Sequence, residues 1–459
     1  MGNATTVKSS GGSASKGHLV AIIAMFFLFA MISFVTNLAA PLGTIWQNSY
    51  DWSGMLGNAM NFLAYLFMGI PAGNMLVQVG YKRTALIAML VGLVGLILQW
   101  LSGFAGTGVN VFSVYGQAIT LNFLIYLLGA FVCGFCVCML NTVVNPMLNM
   151  LGGGGNRGNQ LVQAGGSLNS LAGTLTPLFV GMLIGEVTQA TSMSDVSPLL
   201  FIAMGVFVVA LIVISAVKIP EPHMQKGGVN KVAMTHSPWN FRHTVLGVIG
   251  IFFYVGIEVG IPGVLIFYLS AKTGSVAVAG GVAAIYWLLM LVGRIFSSVI
   301  SGVVSSRAQL ITVTIVAIAL VVIAIVLPDH HMVNMPSYSV SDGFSMVAVP
   351  VKALLLVLCG LCTSVMWGGI FNLAVEGLGK YTAQASGIFM MMVVGGGIMP
   401  LIQNWIANTA GYLTSYWLVV ALLGYLLFYG LIGCKNVNKD IPVADEDEVK
   451  PNMADQDYL

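Results

Sequence analysis

The chain has 459 residues, 58% of them hydrophobic and only 7% charged, where soluble domains carry about 25% charged residues. That composition excludes a soluble globular protein, which could not hide so much apolar surface. The long unbroken apolar runs also exclude the alternating strands of a membrane barrel, and a net charge of +2 without a basic cluster gives no footing for a nucleic-acid partner.

Residues 1–18 are polar and rich in Gly and Ser, so disorder is expected there. No cleavable leader is visible, because the first apolar run is long enough to span. Six apolar segments lie near 19–41, 54–78, 84–104, 119–150, 159–186 and 198–218. Each holds roughly 20 residues or more, as a helical span requires. A polar segment over 219–243, with Pro220, Glu221, Pro222, Lys226, Lys231 and Arg242, reads as a linker between two halves. Six more spans lie near 244–270, 276–301, 307–328, 347–376, 382–408 and 411–434, and an acidic tail over 435–459 is expected to be disordered. The sequence therefore predicts an all-α polytopic membrane protein, with twelve transmembrane helices in two six-helix bundles over 19–218 and 244–434.

Orientation follows from charge. With both termini on one side, that side collects Lys82, Arg83, Arg157, Lys218, Arg242, Arg307, Lys380, Lys435 and Lys439, and the other receives Lys272 and Lys352. The positive-inside rule places the more basic end, and both termini, in the cytoplasm. The six cysteines fall in spans or near the last membrane exit, so no disulfide framework is implied. Cys133, Cys136 and Cys138 could form a soft-metal site, but small apolar packing is the ordinary use of such residues, and no metal is expected.

The most unusual stretch runs from Leu140 to Pro177. Amides, paired glycines and prolines interrupt two segments otherwise apolar enough to span. Polar groups in hydrocarbon are costly unless paired or facing water, so this stretch is expected to line a path or pocket. A partner recurs in the second half. Asn145-Pro-Met-Leu-Asn-Met-Leu-Gly152 lies over Asn372-Leu-Ala-Val-Glu-Gly-Leu-Gly379, and Gly173…Pro177 lies over Gly396…Pro400. Matched interruptions in two halves point to a transporter site at their interface.

These residues carry a family resemblance. Twelve spans split six and six, with Gly73-Asn-Met-Leu-Val-Gln-Val-Gly80-Tyr-Lys82-Arg83 after the second span, resemble the major facilitator superfamily; Val77 stands where its signature keeps an acid. Leu140-Asn-Thr-Val-Val-Asn-Pro146 resembles the Leu-Glu/Gln-Thr-Ala-Ala-Asn-Pro motif of the fucose/galactose/glucose:proton symporter family. Phe253-Tyr-Val-Gly-Ile-Glu-Val-Gly260, Gly293-Arg294 and Gly395-Gly-Gly-Ile-Met-Pro400 are similar to that family as well. The resemblance implies import of a neutral monosaccharide such as fucose, galactose or glucose by alternating access, in a bacterial cytoplasmic membrane, as a monomer and without a cofactor. Two carboxylates of the family fall on Asn37 and Asn141 here. Its fifth-span asparagine falls on Gly166, with Asn169 one helical turn on.

A sugar needs amides that donate and accept, and an aromatic face to stack on. The candidates are Asn37, Asn61, Asn141, Asn145, Gln163 and Asn169 in the first half, with Trp287, Trp367, Asn372 and Gln403 in the second. For any one amide, a plain helix–helix hydrogen bond is the competing role. Glu258 is the one carboxylate placed near mid-span, and glycines around it with Pro262 predict an irregular helix there. It is the candidate for ion coupling, to H+ or alternatively to Na+. Glu186 and Glu376 near span ends suit gating or capping. Arg294 is assigned to a cytoplasmic helix end, tying helices or carbonyls together. With no cation then expected at mid-span, an anionic cargo is disfavoured. A transporter-like receptor and a membrane enzyme remain the readings from other classes; no nucleophile–base pair is visible at mid-span, so no catalytic residue is assigned.

Overall fold

The computed structural model describes residues 11–50, 53, 56–114, 116–184, 192–221, 236–274, 276–339 and 343–443. Residues 1–10, most of the linker, Glu186 and the tail beyond 443 lie outside the described residues. Twelve long helices carry the fold. In the first half these are α1 (Gly11–Ser49), α2 (Leu56–Gln78), α3 (Tyr81–Leu101), α4 (Leu121–Leu151), α5 (Gly155–Ile184) and α6 (Ser197–Ala216). The second half holds α7 (Arg242–Thr273), α8 (Val276–Ile300), α9 (Ser306–Val326), α10 (Val351–Val375), α11 (Gly379–Ala410) and α12 (Tyr416–Gly433).

Eleven of these helices are long and apolar enough to cross a membrane, among the described residues. α5 is not among them, since its first half carries Asn156, Arg157, Asn159, Gln160, Gln163 and Asn169. Such a helix cannot face lipid with that side; it packs on α1 and turns toward α8 and α10 of the other half.

Four features differ from the sequence reading. Helix α1 begins at Gly11, eight residues before the expected span. Helix α7 runs unbroken through Pro262. Its glycines serve packing instead: Gly256 lies against Met399 and Gly260 against Gln403 of α11. The matched interruptions are not symmetric, for α5 is continuous while α11 tightens to a 3-10 turn over Met392–Val394. Finally, two hairpins fill the loops opposite the basic end. β1 (Asn110–Val114) pairs antiparallel with β2 (Gln117–Thr120), and β3 (Met332–Ser339) with β4 (Gly343–Pro350).

The glycine-rich break between α4 and α5 is a tight turn. Gly153, Gly154 and Gly155 have φ of 81°, 71° and 54°, where a Cβ would be strained. The halves meet along α2 with α11, and along α5 with α8 and α10. Glycines let the first pair touch backbone to backbone. A Cβ on Gly73 would lie 2.9 Å from the Gly387 Cα, and one on Gly387 would lie 2.7 Å from the Gly73 Cα. Both contacts lie toward the basic end.

Candidate functional site

Asn141, Asn145 and Asn149 recur every four residues along α4, so they form one column on one helix face. Asn141 donates to the Tyr65 hydroxyl at 2.9 Å. Asn145 donates to the Asn141 carbonyl at 2.9 Å and accepts from the Trp367 indole N–H at 3.0 Å. Asn149 donates to the Asn372 side-chain oxygen at 2.6 Å, and Asn372 donates in turn to the Ser306 hydroxyl at 2.9 Å. The lower two steps of the column therefore cross from the first half to the second.

Helix α5 repeats the pattern. Asn159 donates to Ser301 at 3.0 Å, Ser298 donates to the Gln160 carbonyl at 3.1 Å, and Gln163 donates to the Val365 carbonyl at 2.9 Å. Arg294 closes the series. Its guanidinium donates to the Gly166 carbonyl at 2.9 Å, to Ser170 at 2.7 Å, and to Glu258 at 3.3 Å. Among the described residues these bonds between halves run from mid-helix to the basic end. They form a polar seam that holds that end shut. Each neutral bond is worth about 1 kcal/mol net, so the seam is firm but can be exchanged for water or for another polar molecule.

The ion pair differs in kind. Side-chain exposure is 8% for Arg294 and 14% for Glu258. Removing one partner from a buried pair costs about 3–5 kcal/mol, because the other charge is left uncompensated. Tyr254, one turn before Glu258, faces the pair with its hydroxyl buried beside both charges. Its ring lies 6.2 Å from that of Trp367, which also meets Phe389 edge-on at 5.9 Å.

The sequence-predicted residues divide three ways. Asn145, Gln163, Trp367 and Asn372 are brought together in the seam, and Asn141 and Glu258 border it. Asn37 is half-buried and bonds within its own helix, to the Ser33 carbonyl at 2.8 Å. Asn169 has a buried side-chain oxygen with no partner, one turn from Gly166 on α5. Trp287 is exposed, on the Arg294 face of α8 and two turns nearer the opposite end. Two residues lie within a single half. Asn61 turns into the first half, where with Gln99, Tyr126 and Cys133 it lines a void of about 10 Å³. Gln403 is buried against Gly260 within the second half. Both are polar residues on faces that pack inside a bundle, which the sequence alone does not distinguish from the seam.

Arg294 corrects a further expectation. It does tie helices and a carbonyl, but its long side chain also reaches mid-helix Glu258. A cation thus stands beside the central carboxylate, neutralised by it. The sequence reading missed Ser298, Ser301 and Ser306 entirely; hydroxyls are too common in spans to stand out. Cys133 accepts from Gln99 at 3.3 Å in a helix contact.

A glucose/galactose transporter of Brucella abortus is 29% identical over 427 residues, covering 91% of this chain and 94% of that one. The L-fucose-proton symporter of Escherichia coli is 22% identical over 454 residues, covering 92% and 94%. A solved structure of the E. coli fucose:proton symporter superposes with a TM-score of 0.73 at 18% identity, covering 90% and 98%. Residues 20–399 match the family description of the Major Facilitator Superfamily, and the chain belongs to that superfamily.

Proposed function

We propose that this protein carries a neutral monosaccharide across a bacterial cytoplasmic membrane by alternating access, with both termini in the cytoplasm. The observation that carries the reading is the seam itself. Amides and an indole from both halves meet at one end, where hydroxyls of a sugar can replace the bonds they make to one another. The names of the relatives support the cargo class, and the basic end supports the orientation. Electrostatics support neutrality: Arg294 and Glu258 cancel, leaving no net charge to meet an ionic solute.

Substrate first meets the surfaces above the seam, near Asn37, Asn169, Tyr254 and Trp287. Binding draws Trp367 and the α4 column into new partnerships, the halves rock, and the basic end opens. Glu258 is the group in this region able to gain and lose a proton, so coupling to H+ is assigned to it. Uncoupled carriage is the second reading, favoured by the pairing Glu258 already has with Arg294. Uptake into proteoliposomes with and without an imposed pH gradient tests this. Coupling predicts accumulation above equilibrium that is lost in Glu258→Gln; accumulation unchanged in that variant rules Glu258 out as the coupling group.

A further inference from the structure

A slot opens at the basic end where α2 meets α11, apart from the polar seam. It encloses about 150 Å³ between Ile70 and Asn74 of α2, Gln384 and Ile388 of α11, and Ser237 and Trp239 of the linker. The two helices run in opposite directions there, α2 toward the basic end and α11 away from it. A spacing of four puts Ile70 and Asn74 on one face of α2, and Gln384 and Ile388 on one face of α11. The amides therefore stand at the mouth, and the isoleucines lie deeper. Asn74 and Gln384 are half-buried, and neither side chain has a hydrogen-bond partner among the described residues. Trp239 supplies a third wall, with 49% of its surface exposed. Its place is set by a 3-10 turn over Pro238–Asn240, in which the Ser237 backbone N–H donates to the Asn240 side chain at 2.8 Å.

Unpartnered amides at the rim, an aliphatic floor and an indole wall match a ring that is apolar on its faces and carries hydroxyls at its edge. A cavity of about this size takes a six-membered ring, and the open mouth leaves room for the hydroxyls. No lining residue is charged, so a phosphate or an ammonium has no partner there. Position matters as much as chemistry. Asn74 follows Gly73 and Ile388 follows Gly387, the pair whose backbones touch at this end. An occupant bonded to both amides spans that joint.

We propose that the slot is a second, inhibitory sugar site filled from the cytoplasm, a deepening that rests on the neutral-sugar, alternating-access reading above. Its walls come from both halves, so it exists only while the basic end is shut. A ligand that binds one of two states and not the other shifts the balance toward the first. A neutral pyranose bridging Asn74 and Gln384, with a ring face on Trp239, holds the carrier closed on the cytoplasmic side. Import then slows as its product accumulates. A few neutral hydrogen bonds in a half-open site give weak binding, about millimolar, which suits a sensor of accumulated product.

The test separates the slot from the transport site. Right-side-out membrane vesicles carrying the full chain are preloaded with unlabelled D-glucose, D-galactose or L-fucose, and entry of a trace of the same labelled sugar is timed. Exchange at the transport site makes entry rise with internal sugar. The slot predicts that entry then passes a maximum and falls, about tenfold by roughly ten times the slot's half-saturating concentration. Gln384→Ala removes a rim amide, and Trp239→Ala removes the ring wall. Both residues are partly exposed, so folding is not at stake, and both variants keep the rise and lose the fall. A rise without any fall in the unaltered protein overturns the slot alone, as does a fall that both variants retain. A fall produced by internal indole and by none of the sugars assigns the slot to an aromatic ring, and likewise overturns the proposal. With no rise for any of the three sugars, neutral-sugar carriage itself fails and the inhibitory site falls with it.

Discussion

The Trp367 indole N–H donates to the Asn145 side-chain oxygen at 3.0 Å, joining α10 of the second half to α4 of the first. Asn145 is fully buried, so breaking the bond without a substitute leaves a buried acceptor unsatisfied. Trp367→Phe keeps the ring and removes the donor. It is expected to weaken closure of the basic end by about 1–2 kcal/mol, roughly a tenfold shift in the open-to-closed ratio. Alkylation of a cysteine placed at Asn74, by a reagent confined to the basic side, reads that shift as a faster rate.

The glycine contact between α2 and α11 makes a stronger prediction. A methyl on Gly387 would lie 2.7 Å from the Gly73 Cα, with backbone on both sides and no flexible group to give way. Gly387→Ala is expected to fold but to close poorly at the basic end. Transport should fall at least about tenfold, while the same alkylation from the basic side accelerates. Normal transport in Gly387→Ala would show that the contact is not needed for closure.

Glu221 caps the start of α3. Its carboxylate accepts from the backbone N–H groups of Tyr81 and Lys82, at 2.5 and 2.9 Å, at the start of α3. Lys82 in turn donates to the Ser215 and Val217 carbonyls at the end of α6. The helix N-terminus favours a negative group at that place. Glu221→Ala is expected to lose about 1 kcal/mol of stability, and Glu221→Gln less, in detergent unfolding followed by tryptophan fluorescence. Equal effects of the two would mean that charge plays no part in the cap.

At the opposite end, Asp329 gathers both basic residues of that side. It lies 2.7 Å from Lys272 and 2.7 Å from the buried Lys352. Hydrogen bonds from Lys272 and then Lys352 hold its carboxyl down to about 2, from an ordinary 3.8. Because the folded value is depressed, the stabilisation is present above the ordinary value and disappears as pH falls through about 2. Asp329→Asn should therefore cost a constant amount between pH 5 and pH 8. About 1–2 kcal/mol is expected once the exposure of the carboxylate is allowed for. A cost that varies across that range would contradict the assignment.

Length and hydropathy were enough to read twelve helices, and the ends of all but α1 to within a few residues, because a span in hydrocarbon has little freedom in length or composition. The α4 column was equally legible: Asn141 and Asn145 at a spacing of four had to share a face. What the sequence could not show was direction across the packing. Asn61 and Asn145 are both buried amides beside apolar neighbours, yet one turns inward to a void and the other outward to Trp367. Arg294 was misjudged for a related reason. Its α-carbon sits near a helix end, while its charge acts several ångströms away beside Glu258. The hairpins over 110–120 and 332–350 were missed because loops outside the membrane escape the hydropathy constraint that made the spans readable.

The central claim is that this chain moves neutral sugar, and counterflow tests it most directly. Proteoliposomes are loaded with unlabelled D-glucose, D-galactose or L-fucose and diluted into a trace of the same labelled sugar. The account predicts transient accumulation of label for at least one of them, competed by neutral hexoses and not by sugar phosphates, and slowed in Trp367→Ala. Folded protein that shows no counterflow with any neutral monosaccharide, or that accumulates only charged solutes, would contradict it.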